Sequence, residues 1–313
     1  MPSTVRTPGR AKQALDRLRA SRLLRIALAL VALGFVGYGL ARNREETLAA
    51  VRLLSWWSIA GAMAAVMAGL GCMLIAWRTV LAGLGSRVPY GVAARIMFVG
   101  QLGKYVPGAV WAYAAMMELG RDHGAPPRRT FGAVSLAIVI SLGCALGVAA
   151  ATLPGVVGRA WYLLALIPLI LIGLHPRVLA WGLNLALRIA RREPLDRVLT
   201  GADLVRAAAW TVLGWLVYGV HLWLLVEELG GTGQTYLLAV GAYALAWATG
   251  ILTVVVPAGI GVREGAMVLA LAPALDAPRA LVAAVVSRLV FTFCDVAWAA
   301  LGFALGRRRR SAE

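Results

Sequence analysis

The chain has 313 residues, of which 61% are hydrophobic and only 14% charged, with a mean hydropathy of +0.79. Soluble domains carry about 25% charged residues, so an ordinary soluble fold is excluded and a multi-span membrane protein is indicated. The net charge of +17 sits on basic residues flanking apolar runs, the pattern of the positive-inside rule and not of a nucleic-acid surface. Cys72, Cys144 and Cys294 are isolated within apolar runs, so they offer neither a disulfide framework nor a metal-binding spacing.

Residues 1–22 form a basic arm, with Arg6, Arg10, Lys12, Arg17, Arg19 and Arg22 against Asp16. It is expected on the cytoplasmic side, where anionic headgroups attract such segments. Leu23–Leu40 is long enough to span at about 1.5 Å per residue. It is read as an anchor and not a cleaved signal peptide, because the basic arm is long and no small-x-small cleavage site follows. Ser55–Ala76 is the second span, and the mixed charge of Arg42–Leu54 suits an external link. Arg78, Arg87 and Arg95 then return the chain to the basic side. Val92–Leu119 is apolar but interrupted at Lys104–Gly108, leaving two pieces each too short to cross. Basic residues on both sides (Arg95, then Arg121, Arg128 and Arg129) suit a re-entrant helical hairpin, with a kinked full crossing as the competing reading.

Phe131–Leu153 is a third span, with Gly143 and Gly147 in the spacing of close helix packing. Trp161–Leu174 is a short fourth, and Val178–Ala190 reads as an interfacial helix within the arginine-rich stretch from Arg177 to Arg206. Ala207–Val226 and Tyr236–Val256 are the next spans, separated by an acidic link that suits the outside. Val262–Leu275 is a short or tilted crossing, and Ala280–Leu305 the last span, before Arg307–Arg310. Strongly basic ends require an even number of crossings. The expectation is a single all-α membrane domain over residues 23–305, with about eight transmembrane helices plus a re-entrant hairpin. A basic tail over residues 306–313 completes the chain, and both termini are cytoplasmic.

Two stretches break the apolar pattern in the same way. In Lys104-Tyr105-Val106-Pro107-Gly108, proline removes a donor and glycine permits unusual dihedrals. A helix restarting at Ala109 would present free N–H groups to an anion, with Lys104 beside them. A snorkelling lysine at a loop is the alternative, and Trp111 would equally anchor at an interface. In the second stretch Pro257, Gly259 and Gly261 break the chain, and the helix restarting at Val262 carries Arg263 and Glu264 in its first turn. Glutamate there is ordinary capping chemistry, whereas arginine opposes the helix dipole and calls for a partner, with Glu264 and Asp295 the candidates. Arg288, Thr292 and Asp295 share one face of the last span. A structural Arg288–Asp295 or Arg263–Asp295 pair and a proton relay both fit that face. Tyr218 with His221, and Tyr243 with Trp247, share helical faces and suit packing. His123, His175 and His221 have no metal spacing, and no catalytic triad order or phosphate-binding loop occurs. An enzyme is therefore not expected, and neither is a cofactor.

Val256-Pro-Ala-Gly-Ile-Gly-Val-Arg-Glu264 resembles the Pro-Gly-Gly-Leu-Gly-Val-Arg-Glu signature of the lysylphosphatidylglycerol synthase transmembrane region, or flippase-like domain, family. Leu102–Trp111 is similar to the Lys-Tyr-Leu-Pro-Gly-x-x-Trp form of that family's earlier motif. Two departures stand out: Ala258 replaces a usual glycine, and Ala109, Val110, Trp111 and Ala112 stand where Arg-x-Gly-Glu often follows. The roles of those family charges therefore do not transfer. The aminoacyl-transferring members add a large soluble domain, for which this chain has no room.

The resemblance implies translocation or handling of a lipid across the cytoplasmic membrane of a prokaryote. An anionic phospholipid or a polyprenyl-phosphate-linked lipid is the expected substrate, held by Lys104, Tyr105, Gly108, Ala109, Trp111, Gly261, Arg263, Glu264, Arg288 and Asp295. The alternative is a non-transporting scaffold that docks a lipid-modifying enzyme or glycosyltransferase; membrane lipids are the partners in either case. If the two broken motifs line one cavity, the breaks at Gly108 and Gly261 should meet well inside the membrane.

Overall fold

The computed structural model describes residues 44–105, 110–154, 164–189, 199–232, 235–253 and 261–310, which hold helices and their connections and no strand. The basic N-terminal arm and the Leu23–Leu40 span lie outside the described residues. Helix α1 (Arg44–Leu53) leads to α2 (Trp56–Gly83), which starts where the Ser55 hydroxyl accepts the Ser58 N–H at 3.2 Å. Later come α5 (Pro127–Thr152), α8 (Gly201–Glu228), α9 (Thr235–Leu252) and α11 (Ala277–Arg310). With α2, these make five helices long and apolar enough to cross a membrane among the described residues.

Helices α2 and α8 are antiparallel along their whole length. At one end the Ser55 amide and hydroxyl donate to Glu228 at 2.5 and 2.6 Å. At the other, Gly83 lies against Leu199 and Asp203, where a capping box between Thr200 and Asp203 starts α8. Between them Gly69 sits on the Tyr218 ring and Gly214 on Met73, small residues that let two spans approach closely. Helix α11 runs parallel to α2. Its start is tied to the Ser55 end by Arg279, which donates to the Leu229 carbonyl at 3.2 Å. Further along, Trp298 Nε1 donates to the Met67 carbonyl at 3.1 Å. Helices α6 (Leu166–Gly173) and α7 (Pro176–Ile189) are bent by 60° where Pro176 stops the first from continuing. Counted as one span, this pair raises the number of crossings to six. On α7, Leu179, Leu183 and Leu187 are buried, while Trp181, Leu185 and Ile189 are exposed. Of the glycine pair on α5, Gly143 packs on Leu174 while Gly147 faces open space.

The first interrupted stretch is a helical hairpin. Its rising arm is α3 (Tyr90–Ala94), a π turn (Arg95–Val99) and a 3-10 turn (Leu102–Tyr105); its returning arm is α4 (Val110–Arg121). A Cβ on Gly103 would lie 2.6 Å from the Ala112 amide nitrogen, and one on Gly100 only 3.2 Å from Met116 Cα. In a continuous helix residues 100 and 116 would be about 24 Å apart, so the kinked crossing is excluded. Only glycine allows the two backbones this close.

The second interrupted stretch holds a helix shorter than the apolar run that suggests a crossing, and residues 254–260 before it lie outside the described residues. Helix α10 (Val262–Leu271) has ten residues, about 15 Å, or half of a hydrocarbon core about 30 Å thick. The apolar run Val262–Leu275 suggests a short or tilted crossing by composition, but the chain leaves the helix at Ala272, and Pro273 prevents its extension. Helix α10 packs against both α9 and α11.

The hairpin geometry makes a direct prediction. Gly100→Val, which places a side chain against the Met116 backbone, should lower the unfolding midpoint in detergent clearly, whereas Gly91→Ala, whose added atom meets open space, should leave it nearly unchanged. Equal midpoints for the two variants would contradict the hairpin.

Candidate functional site

The site forms where α10 begins. Gly261 holds φ at +84°, a left-handed conformation that glycine adopts without strain, and this turns the chain into the helix. Glu264, at the third helical position, reaches back so that its Oε2 accepts the Gly261 N–H at 2.6 Å. Its other oxygen, Oε1, is ion-paired with Arg288 Nη1 on α11. Glu264 is buried, and one carboxylate therefore caps the half-length helix and fastens it to α11, the longest helix among the described residues. Arg288 lies eleven residues after Ala277, about 17 Å along α11, so the pair sits near the middle of that helix's apolar part. A lone charge at such depth costs about 2.5–3.5 kcal/mol on insertion scales, which favours this pairing.

The Arg263 guanidinium finds a different partner from either acid expected of it. Its Nη2 donates to the Tyr243 hydroxyl on α9 at 2.6 Å, while both Glu264 oxygens are occupied by Arg288 and Gly261. The guanidinium also lies 5.0 Å from the Tyr243 ring centroid and 5.8 Å from that of Phe291, within cation–π range. Tyr243 and Phe291 stack at 5.0 Å, and Tyr218, Trp215 and His221 close an aromatic box behind them. The face of a π ring is electron-rich, so the box compensates a cation that the helix dipole repels.

Buried His221 links the box to α11. Its Nδ1 faces the Tyr218 carbonyl, which can only accept, so this nitrogen carries the proton. Its Nε2 then accepts from the Ser287 hydroxyl at 2.9 Å. Asp295, also buried, is an electrostatic neighbour of Tyr218 and Tyr243, and Thr292 Oγ1 donates to the Arg288 carbonyl at 2.9 Å. The Trp215 Nε1–H is buried with no acceptor among the described residues.

Of the residues marked in the sequence, Gly261, Arg263, Glu264, Arg288 and Asp295 belong to this region of α10 and α11. Lys104 and Tyr105 lie in the 3-10 turn of the first hairpin, and Trp111 is exposed on α4. Gly108, Ala109, Pro257 and Gly259 lie outside the described residues. The rising arm of the first hairpin runs antiparallel to α11: Arg95 lies against Gly302, and Phe98 stacks on Trp298 at 4.5 Å. That direction carries Leu102–Tyr105, which also contact α11, toward Arg288. Tyr243 was marked only as packing, and Ser287 and Phe291 not at all. Phe291 follows Arg288 by three residues and precedes Asp295 by four, so helical spacing alone puts it on the charged face. Among the described residues no cluster of potential ligands fits a metal.

Among the described residues, five long apolar helices, a helical hairpin and a half-length helix tied to α11 by a buried ion pair define a polytopic helical membrane protein. The chain belongs to the family described as the lysylphosphatidylglycerol synthase TM region, whose profile matches residues 22–299. No other domain is matched, and no curated protein matches the chain.

The Glu264–Arg288 tie is testable by a double-mutant cycle. Glu264→Gln and Arg288→Met should each destabilise the protein by about 3 kcal/mol, because each removes one charge of a buried ion pair. The double variant should lose at least about 1 kcal/mol less than the sum, read from unfolding midpoints in detergent.

Proposed function

We propose that the protein is a lipid translocase: it passes an anionic headgroup, of a phospholipid or a polyprenyl-phosphate-linked lipid, across the cytoplasmic membrane of a prokaryote. Membership of a lipid-associated membrane family supports lipid handling. The observation that carries the finer reading is the start of α10, where a half-length helix presents its N-terminus beside Arg263 at mid-bundle. Interrupted helices whose N-termini point at anionic groups are the recurrent substrate sites of transporters. Glu264 is neutralised by Arg288 and the Gly261 amide, so the positive end of α10 and Arg263 remain to meet a phosphate. The aromatic box fixes the guanidinium in place, and a preorganised cation loses less freedom on binding.

In this reading the Gly83 end of the bundle, with Arg78, Arg87 and Arg206, faces the cytoplasm, and the Ser55 end, with Glu227 and Glu228, faces outside. Both termini are then cytoplasmic. The first hairpin enters from the cytoplasmic side, and α10 starts at a similar depth and runs from there toward the outer side. Lys104 would bring a second cation to that depth. The protein moves lipid without making or breaking covalent bonds.

The test is a headgroup-accessibility assay with labelled lipids in proteoliposomes. Arg263→Ala should slow movement by about tenfold or more, and Tyr243→Phe by a few-fold through loss of one hydrogen bond to a charged group. Arg52→Ala, in exposed α1, should leave the rate unchanged. Wild-type rates in Arg263→Ala would refute the site. Absence of lipid movement by the wild-type protein would refute translocation.

A further inference from the structure

A polar cavity lies at the Gly83 end of the bundle, away from the Arg263 cluster. It has a volume of about 790 Å³ and is walled by the end of α2, the start of α8 and Arg87 and Tyr90. Arg78, Arg87 and Arg206 line it, with Asp203 as the single acid. The Asp203 carboxylate is already committed: its Oδ2 accepts from the Thr200 hydroxyl at 2.7 Å and the Thr200 amide at 3.3 Å. Arg78 is fixed in position, because its Nε donates to the Val88 carbonyl at 2.8 Å and its guanidinium lies 3.9 Å over the Tyr90 ring. Neither Arg87 nor Arg206 has an ion-pair partner among the described residues, and both are exposed. The cavity also has an apolar side, formed by Ile75 and Trp210.

Three arginines against the single Asp203 carboxylate, whose hydrogen bonds to Thr200 leave its charge in place, give the cavity a net positive charge that an entering anion offsets. Arginine matches phosphate through its planar fork of donors, and one of the three is already oriented by stacking. A tryptophan near the end of a span is typical of the headgroup level of a bilayer. We infer that this cavity is a binding site for a phosphate ester carried on an amphiphile, with Arg78, Arg87 and Arg206 on the phosphate and Trp210 and Ile75 beside the apolar part. The inference is independent of translocation at Arg263 and holds whether or not the protein moves lipid.

Native mass spectrometry of protein released from nanodiscs of equal phosphatidylglycerol and phosphatidylcholine tests it. The wild-type protein should retain phosphatidylglycerol preferentially. Arg87→Gln/Arg206→Gln, which changes two exposed side chains, should reduce that retention by about tenfold, the size of a lost pair of charge-assisted contacts. Arg78→Lys, which keeps the charge but loses the fork, should weaken it by about threefold. Arg52→Gln/Arg121→Gln removes the same charge from exposed sites away from the cavity and should stay within about twofold of wild type. Equal losses in the two double variants, or no preference in the wild type, would overturn the proposal. Titration with glycerol 3-phosphate in detergent identifies the source of the ester. Binding lost in Arg87→Gln/Arg206→Gln supports a site open to soluble esters, and lipid retention without soluble binding supports one that requires the lipid.

Discussion

The buried Glu264 carboxylate is the contact on which the arrangement of the polar interior depends. It accepts the N–H of Gly261, the residue that turns the chain into α10, and it pairs with Arg288 on a neighbouring span. One oxygen does each task. Because Glu264 is engaged in this way, Arg263 next to it is left to the aromatic side of the cluster, where the Tyr243 hydroxyl and the Tyr243 and Phe291 rings receive it. Two adjacent charges of opposite sign thus point to different elements, one to α11 and the other to α9.

Helix α11 is the common support of both interruptions. It contacts the first hairpin through Phe98 on Trp298 and Arg95 on Gly302, and the second through Arg288 on Glu264. It is anchored in turn to α2 at Met63 and Met67 and to the end of α8 at Leu229. A change in the tilt of α11 would therefore move both interrupted segments together.

Much of this was legible in the chain because the signals were local. Proline and glycine inside apolar runs marked both breaks, and arginines on either side of Val92–Leu119 pointed to a hairpin that Gly100 and Gly103 then realise by close backbone approach. Glu264 as a helix cap followed from its place in the first turn. The rest depended on distances across the fold. The extent of α10 was not readable, since Val262–Leu275 has the composition of a short crossing and only the turn at Ala272 divides it. The partner of Arg263 lies twenty residues earlier in the chain, on a helix where Tyr243 looks like any packed aromatic. The pairing of Glu264 with Arg288 was hidden for the same reason: it needs α10 to fold back on α11, which neither sequence segment announces alone.

The central claim is that Leu102–Tyr105 of the first hairpin and the start of α10 lie at a common depth beside the middle of α11. The most direct measurement is a pulsed electron-spin distance between labels at Lys104→Cys and Gly265→Cys, in cysteine-free protein reconstituted in nanodiscs. Gly265 has open space where a side chain would sit, so a label there disturbs nothing. The account predicts a label separation well below the hydrocarbon thickness, about 20 Å or less. A separation of about 30 Å or more, placing the two segments at opposite membrane surfaces, would contradict it.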